Sequence, residues 1–394
     1  MKGRVFSLKD IFKKQKTKRQ FSSDHVFLIL VIALSIYGTI MVFSSGYPFA
    51  SVRYDDAFYF VKRQVIWLLL GFIFMYFGLR MSPAVLKKIS PLLYVLTLVL
   101  LVLTLFIGMV GNGAQRWISL GPITIQPSEI AKLTMVLMLA KYFSDSEGMT
   151  IKNKKWHSLI YGTLIPFAIM LCPILLVMLQ HHLSCIIILG VIGVILIVLS
   201  GANLKYLGIL MSLGIAGVTY IALFTDYTKD RITVWLDPEK YKLTGGWQTL
   251  QGLMAIGSGG FFGKGLGQGE LKYCYVAEPA NDMIFAIVCE ELGFVGAFFA
   301  VVLFAMLIFR GYSIALKQKN SFSRLAALGI TTKIAVQTLL NIAVVTNTIP
   351  NTGISLPFFS YGGSSLLMLF FEMGLMLSFS RGEENIQTKQ GGQK

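Results

Sequence analysis

Apolar residues in this chain neither alternate as in half-buried strands nor form the narrow stripe of a surface helix. They run on for about 20 positions at a time, the length that crosses a bilayer, from one end of the sequence to the other. Ten such stretches are predicted, at roughly 25–45, 61–79, 90–110, 129–143, 158–178, 183–200, 205–225, 282–309, 325–348 and 364–380, with ends good to a few residues. The expected fold is therefore an all-α polytopic membrane protein of ten transmembrane helices. The segments between the stretches are mostly short, and the exception is 226–281, between the seventh and eighth. The expected organisation is a basic tail at 1–24, one membrane domain over 25–380 and a second tail at 381–394.

Composition agrees: 55% of the residues are hydrophobic, only 14% are charged, and the mean hydropathy is +0.69. The formal charge of +16 would suit a nucleic-acid partner, but the positions of the basic residues argue against one. If the chain starts inside and alternates, 23 of the 35 Lys and Arg fall on cytoplasmic segments, eight of them before residue 25. Both termini are thus expected in the cytoplasm, and 226–281 outside. The stretch KKQKTKR suits contact with anionic headgroups. Residues 1–24 are too polar for a signal peptide, and the first apolar run lacks a small-residue cleavage site, so that run is expected to stay as an anchor. Cys172, Cys185 and Cys289 fall in predicted spans and Cys274 in a loop, with neither a disulfide framework nor a CxxC metal spacing.

Several polar residues interrupt the apolar pattern. Arg116 beside Trp117 reads either as an interfacial anchor or as a binding residue. Glu129 and Lys132, three apart, share a helix face, and an intramembrane pair of that kind is structural or functional. Pro166 and Pro173 predict kinks in the fifth span. His181 and His182 fit a polar hairpin tip better than a metal site, because adjacency is poor chelating geometry. In the long loop, Trp247, Leu250, Leu253 and Met254 fall on one face of an amphipathic helix lying on the membrane. GSGGFFGKGLGQG matches neither phosphate-loop register, and its glycines suit tight turning, with Lys264 available to an anion. Lys333, Gln337 and Asn341, spaced by four, put one polar stripe on the ninth span, and interhelical hydrogen bonding accounts for it most simply. IPNTGISLPFFSYGGSS, with Ser360 and Ser364, is a third irregular outer segment. Together with the stretch around Arg116 and the long loop, it could converge on one cavity.

Four of these segments resemble the SEDS family of cell-wall polymerases, the FtsW, RodA and SpoVE proteins. They are RWISLGPITIQPSEIAKL, GLMAIGSGGFFGKGLGQGELKY, NDMIFAIVCEELGFVGA and GISLPFFSYGGSSLL, in the family's order, spanning Arg116 to Leu367. The form GLGQGELKY looks closer to FtsW and SpoVE than to RodA. The resemblance implies a peptidoglycan glycosyltransferase that polymerises lipid II on the outer face of the bacterial cytoplasmic membrane, in division or sporulation. It also implies a class B penicillin-binding protein and other division membrane proteins as partners. The family's essential aspartate falls on Asp282, its arginine on Arg116 and its QPSE-to-lysine segment on Gln126 through Lys132. Two departures stand out. His181, His182, Leu183 and Ser184 replace a proline-aspartate-leucine-glycine segment, which removes a carboxylate. Val276, Ala277 and Glu278 replace Leu-Pro-Glu, and Met283 replaces an aromatic residue.

Such a transfer needs one general base, and positive charge near a leaving pyrophosphate. Asp282 is the candidate base, with Arg116, Lys132 and Lys264 as candidate pyrophosphate ligands and Gln126, Glu129, Ser360 and Ser364 as further substrate contacts. A divalent cation, Mg or Mn, could assist. On residue type alone Asp282 equally suits a helix N-cap. Helical spacing puts Glu290 about 80° around from Asp282, and pairing of Glu290 and Glu291 with Lys132 or Lys333 is the alternative to a role at the site. Glu290, Lys333, Gln337 and Asn341 are expected to support the site. A lipid II flippase and a non-catalytic scaffold of the division machinery are the rival readings.

Overall fold

The computed structural model describes residues 24–111, 114–121, 123–146, 159–212, 214, 226–273, 275–277 and 279–381. The two tails, apart from Asp24 and Arg381, lie outside the described residues, as do Cys274, Glu278 and most of the stretch expected at 205–225. The chain is mostly helical. Its first three helices are α1 (His25–Tyr54), α2 (Tyr59–Arg80) and α3 (Pro83–Ile107). Helix α3 starts earlier than its apolar run because Ser82 accepts a capping bond from Val85 N–H and Pro83 occupies the first turn. Helices α4 (Pro127–Asp145), α5 (Ile165–Leu179, entered through a π-helical turn at Ile160–Leu164) and α6 (Leu183–Leu199) follow. The long segment is not irregular throughout: it holds α7 (Asp226–Leu236) and α8 (Gly246–Gly259). Last come α9 (Ile284–Leu316), α10 (Ser321–Val345) and α11 (Gly363–Ser380).

Among the described residues seven helices are long and apolar enough to cross a membrane, namely α1, α2, α3, Ile160–Leu179, α9, α10 and α11. Helix α6 is apolar but shorter. Helix α4 carries Glu129, Lys132 and Thr134 and is buried along most of its length. It lies inside the bundle, where polar side chains find partners, whereas α2, α3 and α9 turn Leu69, Phe77, Leu92, Phe106, Phe298 and Phe309 outward, as lipid contact requires.

The expectation of an all-helical chain needs one correction. Between α3 and α4 the chain forms a three-stranded antiparallel sheet, β1 (Met109–Gly111), β2 (Ala114–Leu120) and β3 (Ile123–Ile125), in that order. Ile118 pairs with Ile125 and Leu120 with Ile123. The turn at Gly121 uses a positive φ of 68° that glycine adopts freely.

Helix α9 is spliced rather than continuous. An unbroken helix would send Phe294 N–H to the Glu290 carbonyl and Val295 N–H to that of Glu291. Gly293 leaves helical geometry (φ 64°, ψ −163°) and frees all four groups. The loop after α8 takes them up: Phe294 N–H donates to Gly260 O (2.9 Å) and Val295 N–H to Phe261 O (3.2 Å). In return, Lys264 N–H donates to Glu290 O (3.0 Å) and Gly265 N–H to Glu291 O (2.9 Å). Four bonds to the loop replace these two, so none of these four groups is orphaned. Only glycine fits at the crossing. A Cβ on Gly263 would lie 2.2 Å from Glu291 O, and one on Gly293 would lie 2.3 Å from Gly263 N.

Candidate active site

The polar stripe of α10 runs through the middle of the bundle, and each of its members is almost fully buried. Lys333 Nζ donates to both Glu372 oxygens (2.7 and 2.9 Å). Gln337 Nε2 donates to Ser355 O (3.0 Å), and its Oε1 lies 3.5 Å from Lys132 Nζ, which pairs with Glu129 at 2.7 Å. Asn341 Nδ2 donates to Ile354 O (2.6 Å) and to the backbone carbonyl of Asp282 (2.8 Å). The stripe thus ties α4, α11, the segment 346–362 and the approach to α9 into one network. Glu129, Lys333, Gln337, Ser355, Tyr361 and Ser365 are among the side chains that line a cavity beside it.

Asp282 lies in the turn that precedes α9, half-buried. It is not that helix's N-cap: the flanking residue is Met283, and no side-chain cap forms. Around it the backbone is pinned from two sides. Ser360 Oγ donates to Asn281 O (2.7 Å) and accepts from Leu356 N–H (2.7 Å), while Tyr361 N–H donates to Ala280 O (2.8 Å). The Asp282 carboxylate is met by Gln248 Nε2 of α8 at 3.4 Å from each oxygen. Thr249, Gly252 and Ala255 of α8 are buried, whereas Trp247 and Met254 point away from the bundle, as expected of an amphipathic helix.

Arg116 sits on β2 and donates to the carbonyl of His181 at 2.5 Å, while its Nε is buried with no hydrogen-bond partner among the described residues. His181 adopts a positive φ of 53° at the α5–α6 turn, which makes the pair a hairpin tip. Burial pushes the His182 imidazolium down to about 3, with the Arg116 charge adding to the effect. The neutral ring lies 3.4 Å from Ser128 Oγ. Gln126 is buried immediately before α4. Ser364 is buried near the start of α11, its Oγ without a hydrogen-bond partner among the described residues.

Lys264, Glu290 and Glu291 form a second group. Glu290 and Glu291 do not pair with Lys132 or Lys333, as spacing had suggested. Glu290 Oε1 accepts from Lys264 Nζ (3.0 Å) and from the N–H groups of Glu270 (2.9 Å) and Leu271 (3.2 Å). The Glu290 hydrogen bond raises the Lys264 ammonium above the usual lysine range. Glu291 accepts from Lys272 Nζ (2.7 Å), Ser44 Oγ (2.6 Å) and Gly267 N–H (3.0 Å). The expected partners lost because the break in α9 brings the 260–273 loop against this face first. Among the described residues no three His, Cys, Asp or Glu side chains converge, so the cation considered from sequence finds no protein-built ligand set there.

The family model of the FtsW/RodA/SpoVE cell cycle proteins matches residues 24–385. The chain belongs to the FtsW/RodA/SpoVE family. Among FtsW/RodA/SpoVE relatives, stage V sporulation protein E of Bacillus subtilis is 38% identical over 367 residues, 93% of this chain and 99% of that protein. A probable peptidoglycan glycosyltransferase FtsW of Geobacter sulfurreducens is 34% identical over 361 residues, covering 91% and 95%. Two solved structures of this family's fold superpose well. One is a chain from work on the structural coordination of polymerization and crosslinking by a peptidoglycan synthase complex (TM-score 0.76, 27% identity, 91% of this chain and 98% of that one). The other is the rod shape determining protein RodA of Thermus thermophilus (TM-score 0.68, 26% identity, 92% and 98%).

Four polar residues in these networks escaped the sequence reading. Glu372 carried a usable signal, since a lone acid inside an apolar helix needs a partner. Lys272, Gln248 and Ser44 carried none, because lysine and glutamine are ordinary in a polar loop and serine is ordinary inside an apolar helix.

Proposed function

We infer that this chain is a peptidoglycan glycosyltransferase that polymerises lipid II at the outer face of the bacterial cytoplasmic membrane, with Asp282 as the general base. Family membership and the relatives named as glycosyltransferases support the activity. One observation carries the assignment of the base: the half-buried Asp282 stands in a turn where α8, α10 and the 346–362 segment all deliver hydrogen bonds. Chain growth joins the acceptor's GlcNAc 4-oxygen to the donor's anomeric carbon. The bond from that carbon to the lipid pyrophosphate breaks, and the hydroxyl proton passes to the Asp282 carboxylate. The pyrophosphate leaves as an anion, so no general acid is needed, and Arg116, which donates to a backbone carbonyl, is the candidate to meet it. Lys132 and Lys264 are already engaged by Glu129 and Glu290, which favours positioning roles for both.

The arrangement in the membrane that suits this chemistry has ten spans over residues 25–380, both tails in the cytoplasm and 226–281 outside. Substrate then arrives on the side of Asp282. A class B penicillin-binding protein would act on the glycan made here, and other division or sporulation membrane proteins would assemble around the pair. The deciding experiment incubates purified protein and its transpeptidase partner with labelled lipid II and resolves the products by length. Wild type yields polymer and Asp282→Asn yields none while still binding lipid II. Polymer from both would remove Asp282 as the base, and loss on mutating Lys132 or Lys333 with Asp282→Asn active would favour transport.

A further inference from the structure

Three polar links lead from the backbone of the 346–362 segment to the Asp282 carboxylate. Gly353 N–H donates to Asn351 Oδ1 (3.0 Å), Asn351 Nδ2 donates to Gln248 Oε1 (3.0 Å), and Gln248 Nε2 donates to both carboxylate oxygens (3.4 Å each). The direction of this chain is set at its ends. A side-chain amide offers a donor on one side and an acceptor on the other, and its neighbours decide which way it turns. A backbone N–H can only donate, so the Asn351 oxygen faces Gly353 and its nitrogen faces Gln248. Gln248 must then accept there, which turns its NH2 toward Asp282. A carboxylate can only accept, so the polarity imposed at the Gly353 end is the one that Asp282 needs.

Both amides are anchored apart from each other. The Asn351 carbonyl accepts from Arg231, and Trp235 Nε1 donates to Asn347 O (2.9 Å), which braces the loop from α7. Gln248 rides on α8, whose Thr249, Gly252 and Ala255 are buried in the bundle. The loop also passes beside the carboxylate: a Cβ on Gly353 would lie 3.8 Å from Asp282 Oδ2.

We propose that Gln248 and Asn351 are positioning residues for glycosyl transfer, which fix the plane of the Asp282 carboxylate so that one oxygen is aimed at the acceptor hydroxyl. The proposal rests on the reading of Asp282 as the base. Asn341 and Ser360 hold the backbone around Asp282, but the terminal torsion of an aspartate is broad, and a pinned backbone does not by itself set it. A donor centred on both oxygens holds the carboxylate plane against that torsion.

The test uses full-length protein with its transpeptidase partner and labelled lipid II. Gln248→Met keeps the length of the side chain and removes both links. Asn351→Asp keeps the shape and the bond from Gly353 but presents an acceptor to Gln248, which turns the glutamine's oxygen toward Asp282. Each is expected to lower kcat by about 10- to 100-fold with KM held within about twofold, and Asn351→Asp should be slower than Asn351→Ala. Lipid II binding and the thermal midpoint of both variants should match wild type, a result that a general packing role would not give. Asn351→Asp turning over like wild type, or a loss confined to KM, would overturn the proposal, and this variant decides alone if Gln248→Met fails to fold. Polymerisation by Asp282→Asn overturns the base reading and the proposal with it. An inactive Asp282→Asn beside fully active Gln248→Met and Asn351→Asp overturns the positioning role only.

Discussion

Asp282 and the pair Glu290 and Glu291 lie within ten residues of one another, yet they are held in opposite ways. The glutamate side chains are fully buried and paired with lysines, Glu290 with Lys264 at 3.0 Å and Glu291 with Lys272 at 2.7 Å, and each also accepts from backbone N–H groups. Asp282 is half-buried, and its carboxylate is met at 3.4 Å by a neutral amide. A carboxylate locked into short charge-assisted bonds is a fastener. An amide shared between both oxygens aims a carboxylate rather than fastening it. Proximity in sequence to a catalytic residue therefore says little about role, and the partner's chemistry says more.

Lys272→Met gives this contrast its hardest test. It leaves Glu291 charged and buried without its cation, and should lower unfolding stability in detergent by about 3–5 kcal/mol. Adding Glu291→Met should recover most of that loss. Asp282→Asn, by contrast, should stay within about 0.5 kcal/mol of wild type while polymerisation disappears. Equal thermal midpoints for Lys272→Met and Asp282→Asn would erase the distinction. Lys264→Met should cost less, about 1–2 kcal/mol, because the lysine is part-exposed and Glu290 keeps two backbone donors.

The smallest effect concerns His182. Its folded value lies near 3, below the ordinary 6.5, so the unfolded chain binds its proton first as the solution is acidified. Its contribution is nil above pH 6.5 and grows unfavourable between 6.5 and 3, by at most about 1.4 kcal/mol per pH unit and less for its partial exposure. His182→Gln should flatten that part of the pH–stability curve relative to wild type, and identical curves would show that the imidazole is not what titrates.

The helices were legible because a bilayer demands long apolar runs, and a run such as Gly363–Ser380 has no other use. The sheet at 109–125 was not, because three short strands broken by Gly and Pro look like any interfacial loop. Nor was the splice at Gly293, where the sequence continues as an apolar helix and only the distant loop reveals the break. Within the site, motif resemblance picked out Asp282 and spacing picked out the α10 stripe. Gln248 and Asn351 acquire meaning only from contact across 103 residues of chain, which no local pattern encodes. The partners of Glu290 were hidden for a related reason: Asp282 lies outside α9, which starts two residues later, so helical spacing does not relate the two.

The splice in α9 also ties the helix to its loop. A helix entering the bilayer alone must satisfy its own N–H and C=O groups, and α9 can do so by running straight through Gly293. The four groups that the 260–265 loop engages are those that a straight ladder would pair internally. The broken geometry is therefore satisfied with the loop docked, and the straight one without it. Loop and helix therefore share one backbone ladder, with Glu290 and Glu291 at the junction.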